Sequence, residues 1–498
     1  MNLKDLLQKL IKPEEHSLKV KSMRAAFWSL FGKFGSFFLR FLSSIILTRI
    51  LFPEAFGIMA TASIILTLIQ LFSDTGIRTA IIQNQRGSEP EFLNAAWIIA
   101  ILRGLFLACF VLLIASPLAG FYEQPELKTI MMIMAVSLFI EGFENPAISL
   151  LVKNFRTEKQ VIFEITTHLL TIITTIILAL TYRSVYALAF GSVSLVIFRL
   201  IGSYIIQPYS PRLRWDKKAG AELFHFGKFI FINTMITWTA MNIDILLIGK
   251  LLNMEMLGLY QLGINLGGII AMISVQVVAQ AYLPAVSSVA GDLPRVIRIY
   301  ERTLALLLAA AVPAAMALVL FSHEIIRLIY DPRYQMSYIV VAWFTLGGMF
   351  RIISQISGTT FIARGKPAYE TLSMTAGLIL VVVLLPTGIR YGGLQGAAIS
   401  MTAAFILVGI IECALLMRIY HFPFKIVARP WLQVLLTGGS MAALFSLLRP
   451  VLTSEHLYSI PFMFIIFILG IGISAGIYIL MEGRNPFRDV SLDNDEPS

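Results

Sequence analysis

The stretch Met23–Leu51, MRAAFWSLFGKFGSFFLRFLSSIILTRIL, is a long apolar segment that carries two cations in its interior. It is longer than the roughly 20 residues that a helix needs to cross a bilayer. Lys33 and Arg40 stand seven positions apart, so they lie on one face of such a helix. A cation at the bilayer centre costs about 2.5–3.5 kcal/mol, which is tolerable only where that face meets a wet or paired interior. The stretch therefore predicts a transmembrane bundle around a polar cavity that carries positive charge.

The composition is that of a membrane protein. The chain has 498 residues, of which 57% are hydrophobic and 14% are charged, and its mean hydropathy is +0.81. Soluble domains average about 45–50% apolar and 25% charged residues, so we predict an all-α polytopic membrane protein. The net charge of +10 does not indicate a nucleic-acid partner, because the surplus lies in short loops. Cys109 and Cys413 fall in separate apolar segments and indicate neither a disulfide nor a metal site.

Apolar runs bounded by proline, glycine and charged residues divide the chain into fourteen predicted transmembrane helices. These cover residues 24–51, 55–83, 92–117, 127–152, 159–181, 185–208, 222–250, 256–286, 296–321, 337–363, 367–387, 392–419, 430–449 and 457–481. The loops between them are too short to build an extramembrane domain.

Basic residues alternate between rich and poor loops along this series. One set of loops carries clusters, such as Lys153, Arg156 and Lys159, whereas the alternate loops carry mostly one basic residue each, such as Lys128 or Arg183. The positive-inside rule assigns the rich loops to the cytoplasm. Both termini are then predicted to be cytoplasmic, which agrees with an even number of helices.

A short internal repeat divides the predicted helices into two halves. Phe31–Phe34 (FGKF) in the first helix matches Phe226–Phe229 in the seventh. Because six helices separate the copies, both halves enter the membrane in the same direction, which predicts two six-helix bundles related by a parallel pseudo-two-fold axis. The predicted organisation is a cytoplasmic amphipathic segment at 1–22, bundles at 23–210 and 211–421, two additional transmembrane helices at 422–482, and a cytoplasmic tail at 483–498.

The sequence offers no motif for a cofactor or for catalysis. No Gly-Lys pair has the upstream glycine that a P-loop demands, and the six histidines are scattered, so we predict no cofactor, no metal site and no catalytic residue. The informative residues are the charges inside predicted helices, which by default face an interior or a pathway. The cations are Lys33, Arg40, Arg78, Arg103, Arg199, Lys228 and Arg351, and the acids are Asp74, Glu141, Glu144, Glu164, Asp244 and Glu412.

Six of these cations form the predicted substrate site. Lys33 and Lys228 are equivalent in the repeat, and Arg40 shares a helix with Lys33. These three are expected near the interface between the halves, where transporter sites lie. A cationic midplane would accept an anion such as a diphosphate. The further cationic candidates are Arg103, Arg199 and Arg351. The acids Asp74, Glu141, Glu144, Glu164 and Asp244 either couple transport to an ion or form structural pairs with the cations.

Three stretches resemble sequences of bacterial flippases for polysaccharide repeat units. Leu47–Gly57 (LTRILFPEAFG) resembles their L-x-R-x-L-x-P-x-x-F-G stretch, and Phe72–Gln83 resembles the D-x-G … A-x-x-Q end of their second helix. Ala363–Pro367 resembles their short basic loop after the tenth helix. Helix number, helix order and loop charge agree over nearly the whole chain. The chain thus resembles the Wzx-type branch of the superfamily that also contains the MATE drug exporters and the lipid II flippases.

This resemblance implies a flippase of the bacterial inner membrane rather than an enzyme. Such a protein would move undecaprenyl-diphosphate-linked oligosaccharides from the cytoplasmic to the periplasmic leaflet by alternating access, for synthesis of O-antigen, exopolysaccharide or capsule. It implies two six-helix bundles around a central cavity whose cations handle the anionic substrate. The expected partners are the lipid-linked oligosaccharide and membrane lipids, with polymerase and co-polymerase proteins as further candidates. We expect a monomer that binds no nucleic acid.

Two other functions stay open from the residues alone. A MATE-like cation or drug antiporter would need acids where its cations bind. The first helix has Lys33 and Arg40 but no acid, although Asp244 in the seventh helix favours this alternative. A membrane polysaccharide polymerase or glycosyltransferase would need carboxylates or a nucleotide-sugar site on a sizeable loop, which the short loops disfavour.

Overall fold

The computed structural model describes residues 18–72, 76–216, 231–448 and 460–482. The regular secondary structure of these ranges is entirely helical. Ten of the helices in them are long and apolar enough to cross a membrane, which confirms the predicted all-helical membrane fold. The chain divides into two compact units, Met1–Met235 and Ile236–Ser498.

The helices of the first unit are joined by tight turns. The turn after Tyr122 is typical: Glu123 adopts a left-handed conformation (φ 57°), its N–H bonds back to the preceding helix, and Pro125 starts the next one. In chain order the helices are α1 Leu18–Ile50, α2 Pro53–Phe72, α3 Ile77–Gln83, α4 Pro90–Tyr122, α5 Pro125–Glu141, α6 Ser149–Lys153, α7 Thr157–Tyr182 and α8 Tyr186–Ile206.

A break between α5 and α6 interrupts the fourth predicted helix. The sequence predicts one continuous helix over 127–152, but α5 ends at Glu141 and a 3₁₀ turn, Pro146–Ile148, precedes α6. Proline has no N–H to donate, so it suits the first turn of a new helical segment better than a helix interior. Glu141 and Glu144 lie at this break.

The long helices of the second unit are on the whole more deeply buried than those of the first. A π-helical turn, Val278–Tyr282, lies directly before the Pro284 segment, as expected where proline interrupts the backbone ladder. In chain order the helices are α9 Phe231–Leu251, α10 Met254–Gly267, α11 Ile269–Val277, α12 Leu283–Ser288, α13 Leu293–Leu320, α14 Ser322–Ile329, α15 Ser337–Ala363, α16 Pro367–Tyr420, α17 Phe424–Leu448 and α18 Ile460–Glu482.

The longest element, α16, is a hairpin of two antiparallel limbs. Its 54 residues fold back at Gly393, whose φ of 53° and ψ of −131° are not helical and are readily adopted by glycine alone. The Ser400 hydroxyl donates to the Leu384 carbonyl oxygen at 3.0 Å across the hairpin. The two limbs correspond to the helices predicted over 367–387 and 392–419.

Helices α17 and α18 pack against α13 of the same unit. A Cβ added at Gly470 of α18 would lie 3.1 Å from Pro313 of α13 and in close contact with the Met441 side chain of α17. Close approach at small residues is the usual way in which membrane helices associate. The last two helices are therefore part of the second unit's core.

Several predictions about chain organisation fall partly outside the described residues. The predicted boundary at residue 22 is not a helix boundary, because α1 already includes Leu18. Residues 1–17, the tail at 483–498 and the second FGKF copy at 226–229 are not among the residues described. The count of fourteen transmembrane helices, the domain bounds and the two-fold relation stay predictions.

Candidate functional site

A cavity of about 270 Å³ lies within the first unit, among the helices from α2 to α8. Its wall contains three arginines and three glutamates, namely Arg78, Arg103, Arg199, Glu141, Glu144 and Glu164. Five of these six belong to the predicted site residues, and Arg78 was noted only as a charge inside a helix. The fold thus gathers charges from distant parts of the sequence around one internal space.

An ion pair forms one side of this cavity. Arg199 of α8 places its Nη2 atom 3.1 Å from Oε1 of Glu144, which lies in the break after α5. The two side chains are 41% and 17% exposed, so the pair is partly screened by water and contributes little stability on its own. The Nε atom of Arg199 is buried without a hydrogen-bond acceptor among the described residues. Arg199 therefore retains a donor for a further acceptor.

A second set of polar contacts connects α2, α4 and α5. The Gln70 amide donates to Oε2 of Glu141 at 3.0 Å, and Arg103 Nη2 donates to the backbone oxygen of Gln70 at 3.0 Å. On α7 the Gln160 amide donates to Oε1 of Glu164 at 2.7 Å. Each cavity glutamate thus accepts at least one hydrogen bond, and both charge signs are held in fixed positions.

Two glycines let α4 and α5 approach closely at the cavity. A Cβ at Gly104 would lie 2.7 Å from the Leu138 carbonyl oxygen, and one at Gly142 would lie 2.8 Å from the Ala100 carbonyl oxygen. Real Cβ atoms do not come so near a backbone oxygen, so only glycine fits at either place. Arg103 and Glu141 are the neighbours of these glycines in sequence, and the close approach brings both to the cavity wall.

Asn145 fixes the position of Glu144. It is fully buried, and its side-chain amide donates to the carbonyl oxygens of Ser203 and Gln207 at 3.3 and 2.6 Å. Its own Oδ1 accepts from the Ala147 N–H at 3.0 Å. These bonds attach the break after α5 to the end of α8, and they hold Glu144 beside Arg199.

A smaller cavity of about 100 Å³ lies within the second unit. Asp244 of α9 and Arg351 of α15 both line it. Asp244 is 3% exposed and accepts a hydrogen bond of 2.6 Å from the Tyr260 hydroxyl. Arg351 places its guanidinium carbon 5.3 Å from the centre of the Phe405 ring, in the geometry of a cation–π contact. An acid and a cation from the predicted set therefore share this second space.

The cations of the first helix lie elsewhere. Lys33 and Arg40 are exposed on α1 and are not among the residues that line the first unit's cavity. They lie on nearly the opposite side of the helix from an exposed aromatic stripe that includes Phe31, Phe34 and Phe38. Lys228 and Asp74 fall outside the described residues, so their predicted roles stay predictions.

Sequence reasoning missed three residues that build the first cavity. Gln70 and Asn145 are uncharged, and a search for intramembrane charges passes over them. The Asn145-Pro146 pair was a usable signal, since asparagine before proline favours a turn. Gly104 directly follows a charged residue inside a helix, which indicates close packing beside a polar site, but nothing in the sequence names its neighbour.

The sequence matches a known family model and known proteins. A family described as "Polysaccharide biosynthesis protein" matches residues 46–338. The "Lipopolysaccharide biosynthesis protein WzxC" of Escherichia coli (strain K12) is 21% identical over 401 residues, which cover 80% of each chain. The "Succinoglycan biosynthesis transport protein ExoT" of Rhizobium meliloti (strain 1021) is 22% identical over 473 residues, which cover 93% of each chain.

A solved structure shares the overall fold. It is entitled "Lipid II flippase MurJ, inward closed conformation", and it superposes with a TM-score of 0.70 at 14% identity. The superposition covers 93% of this chain and 100% of that one. At this identity the likeness concerns the fold.

Proposed function

The chain belongs to the polysaccharide biosynthesis protein family, and on that premise we propose that it is a flippase for lipid-linked oligosaccharide repeat units. It is a transporter rather than an enzyme, and a multi-pass protein of the bacterial inner membrane. The substrate class is an undecaprenyl-diphosphate-linked oligosaccharide. Transport proceeds by alternating access, with the site open to one membrane face at a time.

The observation that carries this proposal is the set of three arginines on the wall of the first unit's cavity. Arginine presents a planar fork of donors that matches phosphate oxygens and often binds them through two hydrogen bonds. The cavity volume of about 270 Å³ lies just below the ~300–1,000 Å³ typical of ligand pockets. It suits a diphosphate head group, while the oligosaccharide and the polyprenyl tail extend beyond it.

The ion pair provides a way to bind and release this anion. A phosphate oxygen arriving at the cavity competes with Glu144 for the partly exposed Arg199 guanidinium. Because the pair is partly exposed, exchanging one anionic partner for another costs little. Return of Glu144 to Arg199 then expels the head group. Glu144 thus competes with the head group for Arg199, and this competition keeps head-group binding reversible.

The remaining parts of the proposal concern topology and partners. We propose fourteen transmembrane helices with both termini cytoplasmic, and the fold-back at Gly393 supports counting α16 as two. Lys33, Arg40, Lys228 and Arg351 are proposed as further cations along the substrate's path. The protein is proposed to act as a monomer that delivers its product to polymerase and co-polymerase proteins.

A MATE-like cation antiporter is the alternative function. A buried acid in the second unit, Asp244, favours it, because one carboxylate oxygen there has no hydrogen-bond partner among the described residues. Arg351 lines the same cavity, and a fixed guanidinium repels an incoming cation. We therefore favour the flippase.

The test measures export of surface polymer in a strain that lacks its own flippase and carries variants of this chain. Arg199→Ala and Arg103→Ala are each expected to lower export at least ten-fold, since a charge-assisted hydrogen bond contributes about 1.5–3 kcal/mol. Arg199→Lys keeps the positive charge but not the planar fork of donors, and its export is expected to lie between that of the wild type and that of Arg199→Ala. Glu144→Gln removes the competing charge at constant size, so head-group binding is expected to tighten.

The matched control is Arg156→Ala, which removes an exposed arginine of the same unit outside the cavity. Membrane insertion of every variant is verified by fractionation. Full export by Arg199→Ala and Arg103→Ala at wild-type protein levels would overturn the assignment of the site. Loss of export by Arg156→Ala to the same degree would show that the assay reports general charge loss.

A further inference from the structure

Two glutamates meet inside the second unit, beside the smaller cavity, whose wall includes Ser354, Gly377 and Val408. Glu412 lies on the second limb of α16, and Glu370 lies in the first turn of the first limb. The two side chains are close enough to interact with one another directly. Glu412 appeared among the intramembrane acids in the sequence, but nothing in the sequence alone paired it with Glu370.

The register of the hairpin explains why they meet. Gly388 and Gly396 touch backbone to backbone, Leu384 bonds to Ser400, and Gly377 faces Val408. In such an antiparallel pair each step back along one limb matches a step forward along the other. Seven further steps from Gly377 and Val408 bring position 370 opposite position 415, which is within one helical turn of position 412. The fold-back at Gly393 therefore places the two glutamates at the same level of the hairpin, where their side chains reach one another.

Three of the four carboxyl oxygens of the pair are buried and have no well-formed hydrogen bond with the described residues. Glu412 is 0% exposed, and the Ser354 hydroxyl lies close to its carboxyl group, but neither carboxyl oxygen has a well-formed hydrogen bond with the described residues. Oε2 of Glu370 is buried and equally unpartnered. The carboxyl of Glu370 lies directly against Gly358 of α15, where any Cβ would overlap with it. A buried polar atom without a hydrogen bond costs about 1–3 kcal/mol, so an arrangement with three such atoms implies a missing occupant.

No cation among the described residues neutralises this pair. The groups with ionisable protons that face Glu412 are Glu370, the Tyr300 hydroxyl from α13 and the Cys413 thiol on its own helix. Arg364 and Lys366, in the turn before the first limb of α16, lie over the ring of Tyr420 at 4.5 and 5.2 Å. Tyr300 is already engaged with the Ser357 hydroxyl at 3.0 Å. Within the described part of the chain, the pair is thus surrounded by uncharged groups and has no counter-charge.

We propose that Glu370 and Glu412 form a proton-binding site that couples transport to the proton gradient. Two adjacent carboxylates in a low-dielectric interior cannot both stay ionised, so a proton converts one carboxylate to the acid, whose O–H donates to the other. This shared proton supplies a hydrogen bond between the two carboxyl groups, three of whose four oxygens otherwise have no well-formed hydrogen bond with the described residues. The ligand is a single proton, and no covalent bond other than that O–H forms or breaks.

Glu370 is the member of the pair through which a proton can enter or leave the protein. It is only half-buried, and it follows the short turn from Arg364 to Pro367, which the positive-inside rule assigns to the cytoplasmic side. Glu412 is the deeper member. A proton released through Glu370 leaves the pair with two negative charges, which destabilises the close approach of the two limbs and of α15. The coupling part of the inference rests on the proposed flippase function, whereas proton binding by the pair does not.

The first test measures proton occupancy directly by infrared spectroscopy of the purified full chain in neutral buffer. The wild type is expected to show the C=O stretch of a protonated carboxyl group. Glu412→Gln is expected to lose this band, because the half-buried Glu370 then ionises. Glu370→Gln is expected to shift the band, since the acid at Glu412 loses its acceptor, and this variant keeps the test decisive if Glu412→Gln does not fold. Glu255→Gln, at an exposed glutamate of the same unit, is the control and leaves the band unchanged.

The second test measures transport of a lipid-linked oligosaccharide in proteoliposomes with and without a pH gradient. One coupled proton shifts the wild-type transport equilibrium by up to about ten-fold per pH unit, and Glu412→Gln loses this response while Glu255→Gln keeps it. A wild-type spectrum without a protonated carboxyl band, or a band unchanged in both pair variants, overturns the proton site. Gradient-insensitive transport by the wild type overturns coupling alone. A wild type that transports nothing contradicts the flippase function, and the infrared result still decides on the site.

Discussion

The acidic side chains that line the cavity of the first unit and the glutamate pair of the second unit differ in their hydrogen-bond and ion-pair partners. In the first unit each acid on the cavity wall accepts a hydrogen bond, and Glu144 forms an ion pair with Arg199 at 3.1 Å. In the second unit Glu412 is fully buried, and its oxygens have no well-formed hydrogen bond with the described residues. Paired, partly exposed charges can exchange partners with an anion at little cost. An unpaired buried carboxyl instead responds to a proton. The first arrangement suits substrate handling, and the second suits coupling.

The same contrast appears in how each site is built. The first cavity depends on hydrogen bonds from uncharged residues, Gln70 and Asn145, that hold its charged residues in place. The glutamate pair of the second unit depends on helix packing alone, through glycines that let the limbs of α16 and α15 touch. Changes to the polar framework should therefore affect the first unit, and changes of small residues should affect both.

The largest expected effect comes from removing the polar framework of the first unit. Asn145→Ala deletes three side-chain hydrogen bonds, and the Ser203 carbonyl oxygen keeps the Gln207 N–H as its donor. Since each hydrogen bond contributes about 0.5–1.5 kcal/mol, we expect a loss of about 2–4 kcal/mol in the free energy of unfolding. Chemical denaturation in detergent measures it.

Asn154→Ala is the control for this change, because Asn154 is exposed one short helix later and makes no side-chain hydrogen bond to the described residues. If Asn145→Ala were as stable as Asn154→Ala, the break after α5 would not depend on its hydrogen bonds. The contrast between a polar framework in one unit and packing in the other would then fail.

The next effect concerns the close approach of α4 and α5. Gly104→Ala places a methyl group 2.7 Å from the Leu138 backbone oxygen, which forces the helices apart and is expected to cost about 1–3 kcal/mol. Gly120→Ala, on the same helix with no atom within 4 Å of the new methyl, is expected to be neutral or slightly stabilising, because alanine favours the helix. Denaturation of both variants gives the difference, and equal stabilities would contradict the packing argument.

The fold was largely predictable from the sequence because hydrophobicity and loop charge are local signals. The span of α1, the two limbs of α16 and the all-helical class all follow from runs of apolar residues broken by proline, glycine and charge. The break after Glu141 was missed because the surrounding residues stay apolar, and an Asn-Pro pair inside such a run reads as one kinked helix. What decides between a kink and a break is the hydrogen bonding of Asn145 to α8, which is a tertiary contact.

The sequence identifies the individual charged residues of the site, but it does not show which of them lie together. Membrane burial makes any intramembrane charge conspicuous, so Arg103, Arg199 and Glu144 were all found. Which charges meet depends on helix packing, and the sequence-based prediction assigned the leading role to Lys33 and Arg40, which do not line the first unit's cavity. Glu370 was overlooked because it stands at a helix start, where an acid is ordinary. Only the register of the hairpin brings it to Glu412.

The smallest expected effect lies at the edge of the first unit, where the polar framework reaches the loop after α8. The Tyr209 hydroxyl donates to Oδ1 of Asn94 at 2.9 Å and lies 3.2 Å from the Pro90 carbonyl oxygen. Burial, with a smaller contribution from the negative charge of Glu91, raises the pKa of this hydroxyl above its ordinary value. The contribution of the Tyr209 hydroxyl to the free energy of unfolding is therefore fully present below the ordinary pKa of about 10. This contribution is lost as the pH rises through the pKa of the folded state.

Tyr209→Phe is therefore expected to lower the free energy of unfolding by about 0.5–1.5 kcal/mol at neutral pH, the contribution of one hydrogen bond. The difference from the wild type should shrink as the pH is raised past about 10, since the wild-type hydroxyl then ionises on unfolding. Tyr391→Phe is the control, because Tyr391 is 86% exposed and its hydroxyl gains nothing from folding. A constant difference between Tyr209→Phe and the wild type across this pH range would mean that the hydroxyl stabilises the loop without its proton, and that the hydrogen-bonded framework of the first unit ends before Asn94.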